Sequence, residues 1–128
     1  MTTPAELTPD AHAFLEERHL GTLSTTRRDG TLHVCAVGFT WDGDDALVRV
    51  ITNDGSQKVH NVETTGQAAV AQVDGGRWLS LEGRAIVTRD PDAVADAVAR
   101  YTARYQEPRP NPQRVAIEIS VERILGRA

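Results

Sequence analysis

The chain has 128 residues, 40% of them hydrophobic and 25% charged, with a formal net charge of −4 at pH 7. This is enough to bury the core of one globular domain, and the composition excludes a disordered chain. An acidic chain is no natural partner for nucleic acid or an anionic membrane, and no apolar run reaches the roughly 18 residues needed to cross a bilayer.

In chain order, "LTPDAHAFLEERHLG" reads as a helix, with Thr8 as N-cap, Pro9 at the first helical position and Gly21 as the stop. Leu7, Ala11, Phe14, Leu15 and Arg18 fall on one stripe, apolar with a charged end. "GTLSTTRRDGTLHVCAVGFTW" reads as two strands around an Asp29-Gly30 turn, and "ALVRVIT" as a third after the turn at Asp42–Asp45. "SQKVHNVETTG" reads as a short helix between Ser56 and Gly66. "QAAVAQVD" and "RWLSLEGRAIVTR" are strands joined at Gly75-Gly76. Asp90 and Pro91 open a helix whose stripe is Val94, Val98, Tyr101 and Tyr105. The proline-rich "EPRPNPQ" leads into a last strand with Val115, Ile117, Ile119 and Val121 on one face. With no repeat or linker, residues 1–128 form one domain of about six strands and three helices. Antiparallel hairpins with glycine turns favour a small barrel, too narrow to hold a large ligand inside; a groove between two subunits is the more natural site.

Charge is unevenly placed. Residues 100–128 hold six arginines against three glutamates, a balance of +3 that leaves −7 on residues 1–99. Either an anion-binding face or scattered solvated arginines fits that pattern. The sole cysteine, Cys35, excludes an internal disulfide and a cysteine zinc cluster, and its apolar run suggests an inert thiol. "MTTPAELTPD" lacks a charged-then-apolar leader, so the expected location is the cytoplasm.

Three segments carry possible chemistry. Lys58 is the only lysine beside thirteen arginines, and it follows a strand end, a Gly55 loop and the helix start at Ser56. Amides at a helix N-terminus, the Thr52 and Ser56 hydroxyls and one ammonium would together suit a phosphate; a capped surface helix with a stray lysine is the plain alternative. Gly38 interrupts the apolar strand "CAVGFTW", marking either a barrel-corner bulge or a place where a flat ring lies against Val37–Thr40. Trp78 begins a strand beside a tight turn, where it would fill the core, meet a cofactor or sit in a subunit interface. No catalytic triad, zinc motif or carboxylate pair is present, which fits an enzyme whose cofactor performs the chemistry. His33 and His60 read as polar face residues rather than acids.

These segments, with "HLGTLSTTRRDG", "VITNDGSQKVHNV", "QVDGGRWLSLEGRA" and "RYxxPRPNPQRVxIEI", resemble the split β-barrel flavin and deazaflavin oxidoreductases, the pyridoxamine-phosphate-oxidase-like superfamily, and in particular its coenzyme F420-dependent reductases. The resemblance covers nearly the whole chain. It implies a mainly β, six-stranded antiparallel split β-barrel of Greek-key type with peripheral helices, acting as a homodimer. It implies hydride transfer from reduced F420 to a conjugated electrophile such as a linear tetrapyrrole, biliverdin to bilirubin. Val37, Gly38, Phe39 and Thr40 would line the cofactor ring. Thr52, Ser56, Gln57 and Lys58 would hold the phosphate, with Asn61 close by. Arg77 and Trp78 would come from the partner chain, and Arg114 from the last strand. Arg104, Arg109 and Arg114 would meet the tetrapyrrole's propionates or the cofactor's glutamate tail. Gln57-Lys58 stands where the oxidases carry an Arg-Lys pair, and their C-terminal substrate motif is absent. An FMN-dependent member of the superfamily and a non-catalytic F420 or tetrapyrrole carrier are the alternatives.

Overall fold

The computed structural model describes residues 2–128. Seven strands form one antiparallel sheet: β1 (Gly21–Thr26), β2 (Leu32–Val37), β3 (Phe39–Asp42), β4 (Leu47–Asn53), β5 (Gln67–Asp74), β6 (Arg77–Thr88) and β7 (Arg114–Arg127). Their order is β2-β1-β5-β6-β7-β4-β3. Three helices accompany them, α1 (Pro9–Glu16), α2 (Gln57–Thr65) and α3 (Pro91–Arg104). No helix among the described residues is long and apolar enough to cross a membrane.

The two edge strands, β2 and β3, are separated in the chain only by Gly38. The sheet must therefore curl until its edges approach each other, which makes it a split barrel. One of the six expected strands breaks at this corner, giving seven. A Cβ on Gly38 would lie 2.8 Å from the Tyr101 ring and 3.2 Å from that of Tyr105, so the corner is turned without a side chain.

The curl encloses Leu23, Phe39, Val48, Val50, Leu81, Ile117 and Ile119, all essentially inaccessible to solvent. The alternation expected in the last strand holds: Val115, Ile117, Ile119 and Val121 are buried. At the β6–β7 pairing the register shifts between Glu82 and Gly83, and a Cβ on Gly83 would fall 1.9 Å from the Ser120 carbonyl oxygen. That bulge lets the longest pair of strands bend around the core.

Thr8 caps α1 as expected, its hydroxyl accepting from the Ala11 amide at 3.1 Å. The helix stops at Glu16, well before Gly21, which lies in β1. Gly21 serves close packing instead: a Cβ there would meet the Phe39 ring at 2.7 Å. Arg104 supplies a reason for the early end. Its Nε and Nη2 donate to the Glu17 carbonyl at 3.0 and 2.7 Å, taking an acceptor that a longer helix would use internally. Arg104 also donates to the Phe39 carbonyl and to Gln72 Oε1, and its guanidinium stands 4.6 Å from the Phe39 ring centre. One half-buried cation thus joins α1, β3, β5 and α3.

Ionic clusters brace both ends of the sheet. Buried Asp42 accepts from Arg49 at 3.0 Å, and Arg100 of α3 approaches it at 3.4 Å. Burial alone would push the Asp42 carboxyl up, but the Arg49 hydrogen bond, the Asp45 amide and the two positive charges outweigh it and hold it below its ordinary value. At the other end, Arg77 makes a bidentate contact with Glu17 at 2.7 and 2.9 Å. That bond, helped by His19, holds the Glu17 carboxyl down to about 2 from an ordinary 4.5.

Two outcomes follow from this architecture. Gly83→Ala should lower unfolding stability in urea by about 2–3 kcal/mol, since a carbonyl cannot yield as a side chain can; an unchanged midpoint contradicts the bulge. Glu17 binds its proton more weakly folded than unfolded, so its contribution is full above pH 4.5 and fades as the pH falls toward 2. Thermal unfolding of Glu17→Gln should show a shallower decline over that acid range than the unsubstituted protein, and parallel declines would contradict the pairing.

Candidate functional site

A cavity of about 320 Å³ opens where the barrel corner, the α2 N-terminus and the end of α3 converge. Val37 and Gly38 form one wall, Thr52 and Lys58 another, and Tyr101 and Arg114 a third. The proline-rich segment closes the outer side through Pro108 and Asn111. It is pinned there by an Asn111 side-chain bond to Asn53 and by the Asp54 amide donating to the Gln113 carbonyl at 2.9 Å.

The lining includes two cations, Lys58 and Arg114, and no acidic side chain. Arg114 donates one bond at 2.7 Å to the Arg109 carbonyl. Among the described residues, no hydrogen bond or ion pair engages the Lys58 ammonium. The nearby Asp54 carboxylate is gripped by Arg89 at 2.8 and 3.0 Å, which draws its negative charge away from the site and holds its pKa below the ordinary value.

Ser56 occupies the N-cap of α2, but its hydroxyl makes no capping bond and lies instead 3.5 Å from Thr52 Oγ1. Among the described residues, the amides of Gln57, Lys58 and Val59 have no acceptor. Free first-turn amides, two hydroxyls and an unpaired ammonium favour an anion. At the other end, Gly66 closes α2 with a positive φ of 68°.

The structure brings together Val37, Gly38, Thr52, Lys58 and Arg114, with Ser56 beside them. Other expected site residues do not line the cavity. Gln57 donates to Asn61 Oδ1 at 2.7 Å, and buried Asn61 donates to Thr25 Oγ1 at 3.0 Å, so this pair fastens α2 to β1. The Phe39 side chain is in the core, and buried Thr40 has a hydroxyl without a partner. Arg104, expected at an anionic ligand, has its donors occupied by protein acceptors. Neither His33 nor His60 lines the cavity.

Arg77 and Trp78 begin β6, where Trp78 pairs with Arg127, whereas Arg114 starts the 14-residue β7. The two ends are separated by on the order of 40 Å of strand contour, and neither Arg77 nor Trp78 lines the cavity. Trp78 is 41% exposed and does not fill the core. A larger groove of about 430 Å³ crosses the outer surface of β1, β5 and β6, mixes Glu82 and Glu122 with Arg84 and Arg123, and contains none of the expected site residues.

Tyr101, Asn53 and Asn111 are wall residues that sequence reasoning missed as such. The stripe of α3 placed Tyr101 on the packed face, and only its proximity to Gly38 reveals its second role.

Comparison with known proteins places this site in context. The family described as pyridoxamine 5'-phosphate oxidase matches residues 7–128. An F420H(2)-dependent biliverdin reductase of Mycobacterium tuberculosis is 56% identical over 128 residues, covering 100% of this chain and 93% of the relative. A solved F420 reductase superposes with a TM-score of 0.77 at 26% identity, over 93% of this chain and 98% of the other. HutZ, a heme storage protein of Vibrio cholerae, has the same fold at a TM-score of 0.77 and 16% identity, over 94% of each chain. The full-length match and the curled seven-stranded sheet agree, and the chain belongs to the pyridoxamine 5'-phosphate oxidase family.

Proposed function

We propose that this protein is a coenzyme F420-dependent reductase that converts biliverdin to bilirubin. The observation that carries the reading is the 56% identity, over the whole chain, to an F420H(2)-dependent biliverdin reductase. The residues present suit such a coenzyme, because the uncapped start of α2 and the unpaired Lys58 form a cradle for its phosphate. When bound, the reduced deazaflavin would supply a hydride for the central methine bridge of the tetrapyrrole, with a proton from solvent following to a pyrrole nitrogen.

The chain's own part is binding and orientation. Lys58, Thr52, Ser56 and the first amides of α2 would hold the phosphate. Val37 and Gly38 would flank the ring with little side-chain bulk, and Arg114 would add a second positive charge. Gln57 and Asn61 contribute by fixing the helix that carries the cradle. The main-chain groups of Phe39 and Thr40 belong to the same corner.

The proposal takes the working form to be a cytoplasmic homodimer. Arg77 and Trp78 of each subunit would then complete the site of the other, in keeping with their absence from the lining of the cavity in their own chain. The exposed apolar side chains Leu32, Val34 and Val73 supply surface for such an association. Cys35 is a free thiol, in keeping with a reducing compartment. Of the three arginines expected at carboxylates of substrate or cofactor, Arg109 and Arg114 remain available once Arg104 is set aside.

Anaerobic mixing of the protein with reduced F420 and biliverdin should oxidise the cofactor as bilirubin appears, in equal amounts. Turnover with reduced FMN and none with reduced F420 would favour a flavin enzyme; tight binding of F420 without turnover would favour a carrier. Lys58→Ala should weaken F420 binding by about 10- to 100-fold, the loss expected for one charge-assisted hydrogen bond. Equal affinities in a fluorescence titration would remove Lys58 from the cradle.

A further inference from the structure

Tyr101 and Tyr105 sit one turn apart on the last stretch of α3, with ring centres 4.9 Å from each other. Both rings pack on the bare Gly38 corner, a task that phenylalanine would do equally well. Their hydroxyls differ. The single proton of the Tyr105 hydroxyl is used within the protein, between the His19 carbonyl at 2.7 Å and the Phe39 carbonyl at 3.0 Å. Among the described residues, the Tyr101 hydroxyl has no partner, and Tyr101 lines the cavity that holds Lys58 and Arg114.

A half-buried phenol that only needs solvent is an ordinary feature. The placement of this one differs, because the two charged side chains that line the cavity, Lys58 and Arg114, are both positive and the remaining polar lining comes from Thr52, Asn53 and Asn111. The Asn111 amide nitrogen donates to Asn53 Oδ1, and Tyr101 and Thr52 add hydroxyl donors to that lining. We infer that Tyr101 is a ligand contact, its hydroxyl donating a hydrogen bond to the phosphate that Lys58 holds. This rests on the F420 reading above. The α3 helix would then do two things with one side chain: its ring closes the barrel corner, and its hydroxyl orients the cofactor. A neutral donor adds directional hold without adding charge, so its contribution should persist when salt screens the lysine.

Tyr101→Phe keeps the ring and removes only the hydroxyl. Its Kd for F420, read by fluorescence titration on the full-length protein, should rise on the order of ten-fold. That ratio should be nearly the same at 0.1 and 0.5 M NaCl, while the Lys58→Ala ratio shrinks with salt. The melting temperature should stay within about 2 °C of the unsubstituted protein, since no protein hydrogen bond is lost. Tyr105→Phe, which does lose protein bonds, should melt lower. An unchanged Kd for Tyr101→Phe with a weakened Lys58→Ala overturns the Tyr101 contact and leaves the cradle standing. Unchanged affinity in both variants overturns the cradle as well. A Tyr101→Phe protein that melts several degrees lower and binds weakly would show the hydroxyl to be structural, which also contradicts the inference.

Discussion

The structure depends on the clasp that closes the barrel at Gly38. Two edge strands have to meet there, and the chain passes from one to the other through a single residue. The Tyr101 and Tyr105 rings fill the space a side chain would have taken, and Arg104 ties the same corner to α1 and β5. Burying a guanidinium is costly unless its donors are met, and here carbonyls and an amide oxygen meet them while aromatic faces cover its planes. Burial pulls the pKa of Arg104 down from its ordinary value, yet guanidinium remains charged in proteins. Loss of this clasp would release α3, and with it one wall of the cavity.

Closure at the corner explains why the cavity lies where it does. The end of β2, the end of β4 and the start of β7 reach one rim, and β4 and β7 pair directly from Asn53–Arg114 onward. The chain between β4 and α2 turns at that rim and presents helix amides to it. The proline-rich segment returns over the top because its far end must start β7 beside Asn53. The candidate anion-binding groups are therefore assembled by strand register rather than by a contiguous motif. No constellation of nucleophile and base is needed when the protein's task is to hold and align a coenzyme, and the binding energy can serve orientation.

Much of this was legible in the sequence where the signal was local. Thr8-Pro9 and Asp90-Pro91 mark helix starts because cap and proline act within one turn, and Asp90 indeed accepts from the Ala93 amide. The alternation of Val115, Ile117, Ile119 and Val121 fixes which face of β7 is buried. Lys58 stood out by its isolation and its helix-start context, and it does line the cavity. Residues whose role depends on a distant neighbour were not legible. Gly21 looked like a helix stop, but its constraint is the Phe39 ring. Arg104 looked like an anion ligand until its four acceptor contacts from three other segments were in view. Asn61 lies one turn from Lys58, yet the helix faces it toward Thr25 and the core. Nothing in a strand sequence distinguishes a glycine that admits a ligand from one that admits tyrosines, and Gly38 borders both the tyrosines and the cavity.

The central claim is that an anionic coenzyme handle is seated at the uncapped start of α2, against Lys58. A crystal structure of the protein grown with F420 tests it most directly. The account predicts the phosphate within hydrogen-bonding distance of Lys58 Nζ and the first amides of α2, with Gly38 beside the cofactor. A cofactor lying instead in the groove over β1, β5 and β6, with the Lys58 ammonium turned to solvent, would contradict it.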